Sequence, residues 1–343
     1  MSSESDEIEE KNYKDPALYY MNYEFEIGDI DNYIVEAKIG RGRYSDVYEG
    51  IQKKLNEKVV LKILKPITKV KIKREIYILK ILRKCPNIVK ILDVIKEKDS
   101  EIFCIICKSI SGIELKNCYL GISFSDLKYY MYKIIECLEY THRKKIIHRD
   151  IKLTNIAVNT ETKELNIYDW GLSDVYIKDY KYTLTIGSRI YKAPELFMEY
   201  KKYDYSIDMW SVGCLFGAIL FQTDFLFNGK SNQDQLILIA KQFGFNKINN
   251  FLEKYKGDCF VPQKLIKKMK DFKEKNWDEY INEKNKYLIN NDALDLLNKL
   301  LEIDPQLRIK AKDAFINSYK YDLSLNFFSN FFYNYLNKIE IRY

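Results

Sequence analysis

The sequence predicts an α+β chain of two lobes: a β-rich N-terminal lobe with one main helix and a mostly helical C-terminal lobe. Three observations predict it. Strand-like runs crowd residues 33–65. Helical periodicity dominates from Ser125 onward. The change falls near Lys108–Gly112. The boundaries that follow are an N-terminal extension over 1–32, an N-lobe over 33–107, a connector at 108–113, a C-lobe over 114–321 and a tail over 322–343.

Each element has its own signal. Residues 1–12, MSSESDEIEEKN, are polar and acidic, the composition of a disordered segment. The runs YIVEAKI, DVYEGIQ and EKVVLKILK, between Tyr33 and Lys65, read as strands. Over 69–83, Ile72, Ile76 and Leu79 fall on one stripe and predict a helix. Strands follow around Ile91–Val94 and Ile102–Cys107. A loop-rich section runs from Arg143 to Ala193, and inside it IAV-NTETKE-LNIY reads as strand, polar turn, strand. The apolar run WSVGCLFGAILF, 210–221, is too short to span a bilayer and reads as a buried helix. In NFFSNFFYNYL, 326–336, Phe327, Phe328, Phe331, Phe332 and Tyr335 form a stripe expected to dock on its own domain.

Composition excludes several classes. With 47% hydrophobic and 31% charged residues, the chain buries a core in water. A formal net charge of +7 favours acidic partners over bulk nucleic-acid binding. No basic-then-apolar leader opens the sequence, so an intracellular protein, in nucleus and cytoplasm, is expected. The seven cysteines then read as free thiols. Cys104 and Cys107 form a C-x-x-C, but on a strand that spacing puts them on opposite faces. With only His142 and His148 available, a histidine-rich metal site is also disfavoured.

The chemistry lies in the loop-rich section. HRDIKLTN, His148 to Asn155, matches the catalytic-loop pattern H-R-D-x-x-x-x-N. The hairpin that follows brings Asn155, before its first strand, close to Asp169, after its second. A carboxylate and an amide oxygen together are hard ligands suited to Mg²⁺. Asp169 therefore reads as a metal ligand in D-W-G, and Gly171 as the residue that lets the backbone turn away. Upstream, GRGRYSDV, Gly40 to Val47, is a glycine-rich hairpin tip whose amides can approach phosphates, with Ser45 in place of a third glycine. Lys62 lies on the third strand. Glu75 sits on the apolar stripe of the helix, where a carboxylate wants a cation, and Lys62 is the candidate. Asp150 is the group that accepts the substrate hydroxyl proton, and Lys152 neutralises charge on the transferring phosphoryl. Arg149 reads as a partner for an acid in the activation segment. Asp208 reads as a ligand for catalytic-loop backbone, and Arg308 as the partner of Glu195 in KAPELF.

These motifs, in this order, resemble the eukaryotic protein kinases from about Tyr33 to Tyr321. More narrowly they resemble the catalytic subunits of casein kinase 2. The pointers are DWG, GRGRYSDVYEG, VVLKILKP followed by KIKREI, CPNIVKILDVIK and YDYSIDMWSVGCLF. The resemblance implies a bilobed kinase fold with ATP, or GTP, and Mg²⁺ in the cleft. It implies transfer to serine or threonine near acidic residues. It also implies activity without activation-loop phosphorylation, because YYMNYEFEIGDIDNY resembles the segment that packs on that loop in the family.

By resemblance, Ile39, Gly40, Arg41, Gly42, Ser45, Val47, Val60, Lys62, Glu75, Lys108, Ile110, Ala157 and Tyr168 surround the nucleotide. Cys107 and Lys108 stand where the family has a bulky residue and an acid, so a roomier purine pocket is expected. Acidic substrates would meet Lys69, Lys71, Lys73 and Arg74 on the helix, and Arg189 and Lys192 before Ala193–Pro194. Thr68, Val70, Thr154 and Thr185 each replace a basic family residue, which implies a shallower acidic preference. Ser3, followed by Glu4 and then Asp6, is a candidate autophosphorylation site. A regulatory β-subunit dimer is expected on Val35, Tyr48, Leu61, Ile95 and Ile106. The rival readings are a pseudokinase-type scaffold, disfavoured because Lys62, Asp150 and Asp169 are all present, and a kinase of different, proline-directed preference.

Overall fold

The computed structural model describes residues 13–66, 68–98 and 100–316. The acidic start with Ser3, the aromatic stripe at 326–336 and the end of the expected C-lobe lie outside the described residues. The N-lobe is built on β1 (Tyr33–Arg41), β2 (Ser45–Gln52), β3 (Glu57–Leu64), the helix α1 (Lys69–Ile81), β4 (Ile91–Lys96) and β5 (Phe103–Lys108). The strands form one antiparallel sheet in the order β1-β2-β3-β5-β4. Val47 pairs with Lys62, and Lys62 with Ile105. Because side chains alternate, Val60 and Lys62 face the cleft while Leu61 faces outward.

The outward face is not open. Tyr33, Val59, Leu61, Ile95, Cys104 and Ile106 are buried together in a small cluster separate from the main core. Leu61, Ile95 and Ile106 are 1%, 3% and 0% exposed. This corrects the expectation of a five-residue docking face. The three residues already pack on one another, which leaves Val35 exposed and Tyr48 half-buried. The N-terminal extension also touches the β4 edge, where the Gly28 N–H donates to the Val94 carbonyl at 2.8 Å, and Tyr33, at the start of β1, donates its hydroxyl to Asp93 at 2.9 Å. The Gly28 bridge occupies the β4 edge at one position. Cys104 belongs to the outer cluster and Cys107 to the main core, as a C-x-x-C on a strand requires.

A connector, 109–112, leads to β6 (Ile113–Glu114) and the long helix α2 (Phe124–Arg143). Ser123 caps α2 by accepting from the Asp126 N–H. Then come β7 (Ile146–Ile147), the hairpin β8 (Ile156–Val158) and β9 (Leu165–Ile167), and β10 (Asp174–Val175). The C-lobe continues with α3 (Pro194–Phe197), α4 (Ser206–Leu220), α5 (Asn232–Phe243), α6 (Phe245–Lys254), α7 (Gln263–Met269), α8 (Asn291–Leu300) and α9 (Ala311–Ile316). Every residue of α4 is buried, which explains why its sequence is apolar all round. Gly213 of α4 is needed for packing, since a Cβ there would sit 2.6 Å from Leu301.

The lobes are bolted together behind the cleft. The Ile167 N–H donates to the Asn87 carbonyl, and the Val89 N–H to the Ile167 carbonyl. The Asn87 amide also donates to the Lys133 carbonyl and to Glu136 on α2. These bonds fix the segment after α1 relative to the β8–β9 hairpin and to α2.

Candidate active site

The catalytic loop is held from below by Asp208, at the start of α4. Its carboxylate accepts the N–H groups of His148 and Arg149, both at 2.8 Å, and contacts His142 Nε2 at 3.0 Å. Burial works to raise its pKa, but the hydrogen bond and charge of His142, with the further donors, hold it below the usual carboxylate range. Arg149 adopts a left-handed φ of 70°. Its guanidinium donates to the Leu172 carbonyl and to Asp174 at 2.8 Å, the acid of the activation segment that the sequence implied. Those bonds stabilise a backbone conformation that costs free energy on its own.

Asp150 is surrounded by donors. Lys152 Nζ lies 2.6 Å from Oδ2, and the Ser188 N–H and hydroxyl each lie 3.0 Å from Oδ1. The Asn155 amide nitrogen donates to the Asp150 carbonyl and, at 3.2 Å, to its carboxylate. With its nitrogen committed there, the Asn155 amide oxygen is the atom left for a cation. Ile156 pairs with Ile167, and the Tyr168 N–H donates to the Asn155 carbonyl, so the hairpin brings Asp169 back beside Asn155.

Lys62 Nζ contacts Glu75 at 2.7 Å and Asp169 at 3.0 Å. Burial works against its charge, but first Glu75 and then Asp169 hold the ammonium above its usual pKa. Lys62 in turn holds the Asp169 carboxyl below the usual range. Asp169 is thus ionised at neutral pH, with a side chain 46% exposed toward the cleft. Among the described residues no group of three or more His, Cys, Asp or Glu forms a metal cage. Asp169 on the cleft wall and the Asn155 amide oxygen buried behind it are a pair of hard oxygen donors of the kind that fits Mg²⁺, which takes its other ligands from phosphate and water.

The D-W-G turn works differently from its sequence reading. Asp169 itself carries the left-handed φ, 61°. Gly171 does not carry a left-handed φ; a Cβ there would lie 3.2 Å from Glu75 Oε2, so it would crowd the Glu75 carboxylate by a few tenths of an ångström. Trp170 fixes the turn: its indole N–H donates to the Ile167 carbonyl and its buried ring packs edge-on against His148.

The cleft between the lobes has a volume of about 420 Å³. Ile39, Gly40, Gly42, Ser45, Val47, Val60, Lys62, Glu75, Lys108, Ile110, Ala157 and Tyr168 all line it. Arg41 does not: it is exposed at the end of β1, where the strand alternation turns it outward. Cys107 lines the cleft too, and burial pushes its thiol up to about 12, so it is a small inert side chain. Sequence reasoning missed Glu114 on the cleft wall and Ser188 on Asp150. Neither falls in a local motif; both arrive through the tertiary fold.

The expected substrate cations fare unequally. Lys71 is exposed, 5.3 Å from the Tyr44 ring of the glycine-rich tip, and Lys69 makes an exposed pair with Glu101. Arg189 is exposed beside the A-P-E turn. Lys73, however, donates to the Met21 carbonyl, and Arg74 to the Gly171 carbonyl with Asp174 at 3.4 Å. These two are corrected from substrate contacts to internal braces. Lys192 donates to the Leu184 carbonyl, and burial, with Arg189 nearby, lowers its pKa.

A family model described as protein kinase domain matches residues 33–320. A relative from Dictyostelium discoideum, named a probable serine/threonine-protein kinase, is 38% identical over 318 residues. The match covers 93% of this chain and 52% of that one, so the chain spans about half the length of the relative.

Proposed function

Because this chain belongs to the protein kinase domain family, we propose that it transfers the γ-phosphoryl of ATP to serine or threonine hydroxyls of proteins, without prior phosphorylation of its activation segment. The observation that carries the reading is the continuous chain Glu75–Lys62–Asp169, which joins α1, the sheet and the D-W-G turn in one array. Such an array places a cation and a metal-binding carboxylate at one end of an apolar cleft. That is the requirement for orienting a triphosphate.

The residues divide the work. Asp150 accepts the proton of the incoming hydroxyl and aligns it for attack. Lys152, held on Asp150 and Ser188, offsets negative charge as the phosphoryl moves. Lys62 fixes the phosphates. Asn155 and Asp169 would hold Mg²⁺, which when bound neutralises charge on the phosphate oxygens.

Activity without a phosphorylated loop is supported by the extension. The Tyr20 hydroxyl donates to Asp174, and Lys73 to the Met21 carbonyl. The extension, α1 and the activation segment therefore brace one another through the chain's own side chains and carbonyls.

The finer reading, a preference for acidic sites like that of casein kinase 2, is supported by exposed Arg189 on one side and exposed Lys69 and Lys71 on the other, while Lys192 is engaged with the Leu184 carbonyl. With Lys73 and Arg74 engaged internally, the preference is shallow. Exposed pairs contribute about 0.2–1 kcal/mol each, so each acidic substrate position changes the rate a few-fold. Docking of a regulatory dimer on the N-lobe would rest on Val35 and Tyr48. Peptide kinetics with Glu or Lys at the first and third positions after the serine, using ATP and then GTP, test the proposal. Faster turnover of the glutamate peptides at low salt is expected. Equal rates remove the acidic preference, and no transfer to any peptide removes the kinase reading.

A further inference from the structure

The tip of the glycine-rich hairpin, Gly42 to Tyr44 between β1 and β2, is tied to a residue that belongs to no catalytic motif. Lys65 follows β3 directly. Its Nζ donates to the Gly42 carbonyl at 2.6 Å, and its backbone N–H to the Tyr44 carbonyl at 2.9 Å. The ammonium is steadied in turn by Asp46 of β2. Asp46 Oδ1 lies 3.5 Å from Lys65 Nζ, and its other oxygen pairs with Lys38 of β1 at 3.1 Å. Two further cations near the tip, Arg43 and Lys71, lie over the Tyr44 ring, each 5.3 Å from its centre.

A trans peptide points its C=O and its N–H in opposite directions. Among the described residues no peptide is cis. The two bonds to Lys65 therefore turn the Arg43 and Ser45 N–H groups away from it. Gly42 and Ser45 line the cleft and Lys65 does not, so the tip stands between Lys65 and the cleft. We propose that Lys65 is a positioning residue for the phosphate end of the nucleotide: its Nζ fixes the hairpin tip from behind, and the fixed tip keeps its amides available to the phosphates.

The rival account of a lysine near phosphates is charge alone. The two accounts disagree about Asp46. If Lys65 acts only as a positive charge, removing the Asp46 charge makes the region more positive and tightens a triphosphate. If Lys65 acts through the Gly42 carbonyl, removing the Asp46 charge lets a long, rotamer-rich side chain leave that carbonyl, and a triphosphate binds more weakly. The geometry favours the second account, because Nζ is already engaged by a carbonyl and a carboxylate on the far side of the tip. A methionine at 65 keeps the backbone bond to Tyr44, so the hairpin stays paired and only the Gly42 carbonyl is released.

The inference rests on the nucleotide reading of the cleft, and the experiment separates the two. Calorimetry on the full chain compares Mg-ATP with adenosine, which lacks phosphates. Lys65→Met is expected to bind Mg-ATP about three- to tenfold more weakly, the scale of one hydrogen bond, with adenosine affinity and melting temperature unchanged. Lys65→Arg, which restores a donor, should recover most of the lost affinity. Asp46→Asn should weaken Mg-ATP by about twofold or more. In peptide phosphorylation the KM for ATP should rise in Lys65→Met with kcat nearly unchanged, since the tie is present before and during transfer. Unchanged Mg-ATP affinity in Lys65→Met, or an equal loss for adenosine, overturns the positioning role while leaving the nucleotide cleft intact. Tighter Mg-ATP binding by Asp46→Asn overturns it in favour of charge alone. Failure of the wild type to bind either ligand overturns the cleft reading and this inference with it.

Discussion

At the scale of single residues, the proposed roles of two carboxylates in one loop system are separable. Asp150 faces donors from the chain itself, whereas Asp169 faces Lys62 and the cleft. Asp150→Asn should keep nucleotide binding and lose roughly 10²–10⁴-fold in turnover, the value of a positioned base. Asp169→Asn should lose the Mg²⁺-dependent part of nucleotide affinity. Calorimetry with ATP, with and without Mg²⁺, separates them; identical profiles for the two variants would remove the assignment. Much of this geometry was readable in advance. Lys62, Glu75, Asp150, Asn155 and Asp169 stand in motifs whose spacing the hairpin makes meaningful. Arg74 was not readable, because it looks like its basic neighbours. Asp174, a hundred residues on, decides that it turns inward.

At the scale of elements, three pieces meet on Asp174: Tyr20 from the extension, Arg74 from α1 and Arg149 from the catalytic loop. Tyr20→Phe removes one hydrogen bond, worth about 0.5–1.5 kcal/mol. It should lower kcat two- to tenfold with little change in KM for ATP. Deleting residues 1–22 also removes the Met21 carbonyl from Lys73 and should cost more than Tyr20→Phe does. Steady-state kinetics on both check the order, and a deletion as active as the wild type would show that the brace is dispensable. Strand positions were legible here because alternation is a local property. Whether the sheet's outer face stays open was not, since Leu61, Ile95 and Ile106 read the same in a docking surface and in a closed cluster.

At the scale of the whole molecule, stability depends on two buried charge sites in the C-lobe. Arg308 grips Glu195 with two hydrogen bonds, at 2.8 and 2.9 Å, and both side chains are fully buried. Glu195→Ala leaves the guanidinium without a counter-charge and should destabilise the protein by about 3–5 kcal/mol, read from the urea midpoint. Asp208 sets the acid limit. Its folded pKa is depressed, so the unfolded chain takes up its proton first as pH falls. The stability it contributes is complete above the ordinary carboxylate range, about pH 4, and is lost below it. Melting temperature against pH should fall less steeply below pH 4 in Asp208→Asn, from a lower starting value. A variant with the wild-type acid slope would place the loss elsewhere.

The separate cluster behind the sheet has a consequence for how the molecule comes apart. None of its six buried residues lies on α1, whose Ile72, Ile76 and Leu79 all belong to the main core. Losing α1 therefore need not melt the sheet. The N-lobe should open in two steps, with amides of α1 exchanging with solvent deuterium at a lower free energy than amides of β3 and β5. Glu75→Gln, which cuts the tie between helix and sheet, should widen that gap. Such a protein can be switched off by a fluctuation far smaller than unfolding, with the strands still protected while the helix exchanges.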